Sequence, residues 1–287
     1  MIVLSEVIKR FPKRFPDANK GDFGHVLVAG GSYGYTGAPY FASQGALLSG
    51  SGLVTLAVGK SIYPILAVKC SEVMVRPFFE TKDASLSLFA ENDILSFSEK
   101  CTSMVMGPGM SMNRETQELV RNIVAKNTKP LVLDADGLNA FEGHAEKLRE
   151  ALAPLVLTPH PGEMARLIGR PKEEIKEARK DIALTFANEY NTVLVLKGQG
   201  TVVANPKGDF YVNDTGNPGM ATGGTGDVLA GVIGGFIAQG MEPFEAAVLA
   251  VYFHGLAGDE AAKDKGFLSL TATDLLLKLP KVLTALA

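Results

Sequence analysis

Short unbroken apolar runs alternate along this chain with stretches whose apolar positions recur every three or four residues. The runs His25–Gly30, Leu53–Val58, Met104–Met106, Leu131–Asp134 and Leu155–Thr158 predict strands, and Val73–Pro77 reads as extended. Between them Ala38–Ser49, Ile62–Lys69 and Arg114–Asn127 carry a helical period, and Lys172–Tyr190 reads as one long helix with a charged face. The strand runs are continuous instead of alternating apolar and polar. That is the mark of a parallel sheet covered by helices on both faces. The pattern changes after residue 190. Thr192–Lys197, Thr201–Asn205 and Phe210–Val212 are strands separated by short glycine-containing connections, which predict antiparallel hairpins. Two apolar helices follow, Asp227–Gln239 and Phe244–Lys265. Without repeat, linker or low-complexity tract, residues 1–287 read as one α/β domain.

Composition narrows the class. With 28 Lys+Arg against 31 Asp+Glu, the net charge is -3, which argues against a dedicated nucleic-acid binder. Cys70 and Cys101 form no CxxC pair, so neither a disulfide framework nor a zinc site is expected. At the N-terminus Glu6, Lys9 and Arg10 interrupt any leader-like run, and Val228–Ala238 falls short of the ~20 residues of a membrane span. The expectation is a cytoplasmic protein with no membrane partner.

The strongest chemical signal is Asn217–Asp227, which places Gly219, Gly223, Gly224 and Gly226 directly ahead of an apolar helix. Such a loop turns backbone N–H groups outward at the positive end of a helix dipole, where a phosphate binds. Asp227 follows at once, placed to take a proton from a hydroxyl or, more plainly, to complement the dipole. Gly59-Lys60-Ser61 imitates a P-loop, but position 54 is valine where that motif needs glycine. Gly30–Gly37 follows a strand yet nowhere gives GxGxxG, and suits a substrate loop better than a nucleotide fingerprint.

Further segments add specificity by their order: Lys20–Gly24, Ala29–Ser32, Thr36–Pro39, Ser49–Thr55, Gly107–Gly109, Leu133–Asn139, Leu157–Glu163 and Leu196–Gly198. Together with Asn217–Gly231 they resemble the ATP- or ADP-dependent NAD(P)H-hydrate dehydratases of the ribokinase-like superfamily, over nearly the whole chain. Leu48 departs from the arginine common there. The resemblance implies a ribokinase-like three-layer fold, with a largely parallel sheet and an antiparallel edge. It also implies a repair reaction. The hydroxyl at C6 of hydrated NADH or NADPH (NADHX, NADPHX) is phosphorylated at the expense of ADP or ATP, and phosphate is then eliminated. Asp227 would be the base, with an anion hole at Gly224, Thr225 and Gly226. The nucleotide would lie on Lys197, Gly198, Gln199, Gly200, Thr201 and Gly226, although Gly198–Gly200 also fits a plain hairpin turn. The hydrate would touch Ala38, Gly109, His160 and Asp227. Glu163 would hold Mg²⁺ through a water, or serve only as a first-turn helix carboxylate; Asp134 and Asp136, at another strand end, are weaker candidates. The family further implies a homo-oligomer, plausibly a tetramer. With 24 residues before the first strand, the partner epimerase is expected as a separate protein. A small-molecule kinase of the same fold is the competing reading, and it shares the glycine loop and Asp227.

Overall fold

The structure, a computed structural model, describes residues 2–286. Among these residues nine strands form one sheet in the order β3-β2-β1-β4-β5-β6-β7-β8-β9. Their spans are β1 His25–Ala29, β2 Leu53–Gly59, β3 Met74–Phe78, β4 Ser103–Met106, β5 Leu131–Leu133, β6 Leu155–Leu157, β7 Val193–Leu196, β8 Val202–Ala204 and β9 Phe210–Val212. Every pairing from β3 through β7 is parallel. The β7–β8 and β8–β9 pairings are antiparallel, as the glycine-containing connections predict.

The continuous apolar runs serve two cores at once. Val26, Val28, Val54, Leu56, Val105, Val132, Val156 and Val195 face the helices Thr225–Ala238, Pro243–Lys265 and Ala272–Leu283. Their alternates Leu27, Ala29, Ala57, Met104, Met106, Leu133, Leu157 and Leu196 face Arg114–Lys126 and Arg179–Tyr190 on the other side. Both faces are covered, and no residue of these strands is free to be polar without cost.

One helix prediction needs correction, and one helix lies where the pattern predicts none. Lys172–Tyr190 is not one helix but two, Lys172–Glu177 and Arg179–Tyr190. Ala178 leaves helical geometry at φ -107 and ψ 29, and Arg179 restarts the chain with its guanidinium donating to the carbonyls of Gln199 and Gly200. The helix Ala272–Leu283 was not anticipated, although Thr271 and Asp274 form a capping box at its start. Pro280 inside it masks the helical pattern.

Two features of this architecture position the site. The strand order reverses between β1 and β4, which opens a crevice at the carboxyl ends of these neighbours. The second is a backbone-to-backbone helix contact. A Cβ on Gly231 would lie 1.9 Å from the Ala42 carbonyl oxygen, and one on Gly45 would lie 2.5 Å from that of Val228. Only glycine lets the helices Gly37–Leu48 and Thr225–Ala238 approach so closely. Phe41 against Gly224 continues the contact upward, so the first turns of both helices stand side by side at the crevice.

Candidate active site

Because β1 to β7 run parallel, their carboxyl ends deliver loops to one edge of the sheet: Gly30–Ser32, Gly107–Gly109, Asp134, Thr158–His160 and Lys197. The helix Thr225–Ala238 starts at the same edge. Gly224 is its N-cap in left-handed conformation, and the first-turn N–H groups have no intrahelical partners. The Thr225 hydroxyl donates to the carbonyls of Met220 and Thr222, at 3.0 and 3.1 Å, so it braces the loop and leaves the backbone amides for an anion. The buried imidazole of His254 holds the Thr225 carbonyl at 2.8 Å, and burial pushes its pKa down to about 4, so the ring is neutral.

A cavity of ≈ 770 Å³ opens beside this turn. Lys197, Gly198, Gln199, Gly200, Thr201, Thr225 and Gly226 all line it, so the residues expected to hold a nucleotide come together. Leu229, Val251 and Met220 give it an apolar side, while Asn213, Thr215 and Asn217 add polar groups. Gly198–Gly200 is both a turn and a wall of the cavity, and Arg179 clamps it from behind. Gly224 is not among the residues lining the cavity, and a Cβ on it would meet Phe41 and Ala272.

Ala38 and Gly109 lie elsewhere, next to each other at the β1/β4 crevice. A Cβ on Gly109 would sit 3.2 Å from that of Ala38 and 2.9 Å from Tyr35, and its φ of +65 favours glycine. Ser32 pins this corner by donating to the Gly109 carbonyl at 2.8 Å. His160 caps the helix Pro161–Ile168: Nδ1 accepts from the amides of Gly162 and Glu163 at 2.9 and 3.1 Å. In the neutral ring the proton is therefore on Nε2, which lies 3.5 Å from Glu163 Oε1. Burial, then Lys197 and Arg166, hold the His160 pKa below its ordinary value.

Between the cavity and this crevice lies a charge cluster. Lys197 Nζ is 2.7 Å from Asp134 Oδ1 and 3.8 Å from Glu163 Oε2. Glu163 Oε2 also accepts from the His160 amide at 2.8 Å, which completes the capping box. Burial raises the Glu163 pKa, with Lys197 pulling against it. Burial works against the Lys197 charge too, yet Asp134 and Glu163 outweigh it and hold the ammonium above its usual pKa. Asp227, at the helix start, is pushed up to about 7, first by burial and then by the Asp134 carboxylate, with Lys197 opposing. A carboxylate poised near neutral pH is what general-base chemistry requires. The sequence did not disclose this coupling, because Asp134, Glu163, Lys197 and Asp227 are far apart along the chain. The one available signal for Asp134 was an acidic residue at a strand's carboxyl end.

Parallel strands reversing at a crevice, with a glycine loop that feeds a carboxylate into a helix start beside a nucleotide-sized cavity, define a ribokinase-like protein. Comparison with known proteins narrows this. The family profile described as NAD(P)H-hydrate dehydratase matches residues 26–281, and the chain belongs to that family. The bifunctional NAD(P)H-hydrate repair enzyme of Moorella thermoacetica is 46% identical over 96% of this chain and 52% of its own length. The chain thus spans about half the length of the bifunctional relatives. The ADP-dependent (S)-NAD(P)H-hydrate dehydratase of Xanthomonas campestris is 34% identical over 99% of this chain and 96% of that one. The ADP/ATP-dependent NAD(P)H-hydrate dehydratase of Bacillus subtilis, co-crystallised with ATP and Mg²⁺, superposes with a TM-score of 0.86 at 30% identity, covering 99% and 98% of the two chains.

Proposed function

We propose that this chain dehydrates the S-epimer of hydrated NADH and NADPH at the expense of ADP or ATP. The observation that carries the reading is Asp227, a buried carboxylate whose pKa is pushed up to about 7 in the first turn of the helix Thr225–Ala238, next to Gly226 of the cavity wall and under the influence of Lys197 and Asp134. Asp227 takes the proton of the C6 hydroxyl, and the oxygen attacks the terminal phosphorus. The bond from that phosphorus to the bridging oxygen breaks, leaving AMP from ADP or ADP from ATP. Phosphate then departs with the electron pair of the C6–O bond while the neighbouring carbon loses a proton, which restores the dihydronicotinamide ring. Hydroxide leaves poorly at neutral pH and phosphate leaves easily, which is why a nucleotide is consumed. Developing charge on the transferred group meets the amides of Gly224, Thr225 and Gly226 and the Lys197 ammonium.

Relatives named for ADP, or for ADP and ATP, favour ADP as donor, with ATP accepted. Among the described residues no group of three or more His, Cys, Asp or Glu could cage a metal. A magnesium ion would therefore take few protein ligands, Glu163 would hold it through a water, and its charge would offset that of the nucleotide phosphates. The hydrate rests on Ala38, Gly109, His160 and Asp227. An epimerase is the pathway partner, in line with the bifunctional relatives. No helix among the described residues is long and apolar enough to cross a membrane; the cytoplasmic location is part of the proposal. The homotetramer rests on family resemblance.

The test is incubation of NADHX with ADP or ATP and Mg²⁺, following the return of reduced-nicotinamide absorbance. Recovery that needs nucleotide supports the reading. No recovery with either nucleotide, alongside phosphorylation of a small alcohol, would establish the kinase.

A further inference from the structure

Lys197 presents a physical puzzle. Its ammonium lies 3.3 Å from where a Cβ on Gly226 would sit, over the first turn of the helix Thr225–Ala238. That is the positive end of a helix dipole, the place where a cation is least welcome. A flexible lysine would swing away unless something held it.

Asp134 is the holder. It is 1% exposed, and its Oδ1 accepts from Lys197 Nζ at 2.7 Å and from the buried Thr158 hydroxyl at 2.8 Å. Its backbone is fixed on both sides: the amide donates to the Met106 carbonyl at 3.1 Å, and its carbonyl accepts from Gly137 at 2.9 Å. The next residue, Ala135, sits at φ 49 and ψ -119, a conformation that costs a non-glycine residue energy. The surroundings over-determine where this carboxylate points. Oδ2 is turned toward Gly226, 4.0 Å from its Cβ position.

We propose that Asp134 is a positioning residue for the reaction proposed above: it holds the Lys197 ammonium over the first-turn amides, so that charge and amides meet the transferred phosphoryl group together. In this proposal Lys197 meets only the transferred phosphoryl end, while the Gly198–Thr201 turn and the rest of the cavity wall hold the remainder of the nucleotide, so Asp134 acts on turnover more than on nucleotide affinity. Its carboxylate does the holding, and Thr158 aims the carboxylate.

The test has one arm that needs no substrate. Unliganded protein is treated with an amine-reactive ester, and labelling of Lys197 is followed by mass spectrometry. Lys197 in Asp134→Asn is expected to label at least about tenfold faster than in the unmodified protein, with Thr158→Val between them and Thr158→Ser near the parent, because loss of the charge-assisted contact frees the amine. In the second arm, kcat for NADHX dehydration falls about 100-fold in Asp134→Asn, as for loss of one electrostatic donor. KM for nucleotide and the Mg²⁺ concentration at half-activity stay within about threefold, less than 0.7 kcal/mol at 1.4 kcal/mol per decade. Equal labelling of Lys197 in all variants overturns the proposal. So does a rise in nucleotide KM or Mg²⁺ requirement matching the loss of kcat, which would make Asp134 a ligand. If Asp134→Asn fails to fold, Thr158→Val and Thr158→Ser carry both arms. If the parent protein never turns over the hydrate, the proposed function fails while the labelling arm still decides whether Asp134 holds Lys197.

Discussion

At the scale of single residues, Asp227 concentrates the chemistry. Its folded-state pKa of about 7 stands above the ordinary 3.8, so the fold favours its protonated form. That stability is fully present below pH 3.8 and is lost as the pH rises through about 7. Three units amount to roughly 4 kcal/mol at 1.36 kcal/mol per unit. Asp227→Asn mimics the protonated form and is expected to melt progressively higher than the parent as the pH rises from about 4 to 8. The same variant should lose about 10²–10⁴ of turnover, because an amide cannot take the hydroxyl proton. Melting curves across pH and steady-state NADHX dehydration check both; a variant that keeps full turnover places the base elsewhere. In the parent protein kcat should rise with pH through about 7, as the base loses its proton. His160 caps a helix and, in the proposed function, also contacts the hydrate. His160→Ala loses a helix cap worth about 1 kcal/mol, whereas His160→Asn keeps an acceptor for the same amides. Both are expected to weaken hydrate binding more than nucleotide binding in separate calorimetric titrations. Restoration of hydrate affinity by asparagine would reduce His160 to a cap.

At the scale of elements, the site depends on the packing of the helices Gly37–Leu48 and Thr225–Ala238. Gly231→Ala would drive a methyl group into the Ala42 carbonyl, and a loss of about 1–3 kcal/mol or more is expected in denaturant unfolding. Gly223→Ala meets nothing within 4 Å and should leave stability unchanged. Equal behaviour of the two variants would mean the helices are not in backbone contact. This contact is partly legible in the sequence, since Gly231 interrupts an apolar stripe where alanine would otherwise serve. The parallel sheet was legible too, because burial on both faces forces unbroken runs such as Val26–Ala29. The break at Ala178 was not, because Arg179 turns toward carbonyls contributed by Gln199 and Gly200, which no local pattern can announce. The Asp134–Lys197 pair was hidden for a related reason. Each residue ends its own strand, and only the β5-β6-β7 order brings the ends together.

At the scale of the whole molecule, ligand binding and folding share one balance. A nucleotide that binds only the folded chain at ~100 times its Kd should add about 2.7 kcal/mol of stability. Absence of any melting shift with ADP or ATP plus Mg²⁺ would contradict the assignment of the cavity. The cavity wall Gly198–Thr201 is also the point where the parallel sheet gives way to the short antiparallel strands β8 and β9 at one margin. Peripheral strands of three residues are the sort of unit that opens locally well before the rest of a protein unfolds. Their amide protons, from Val202 to Val212, should exchange with solvent faster than those of β1 and β4, and nucleotide should slow them while leaving β3 at the far margin unaffected. Substitutions that loosen Phe210 or Tyr211 then weaken nucleotide affinity without touching it, in proportion to the fraction of molecules whose margin is closed.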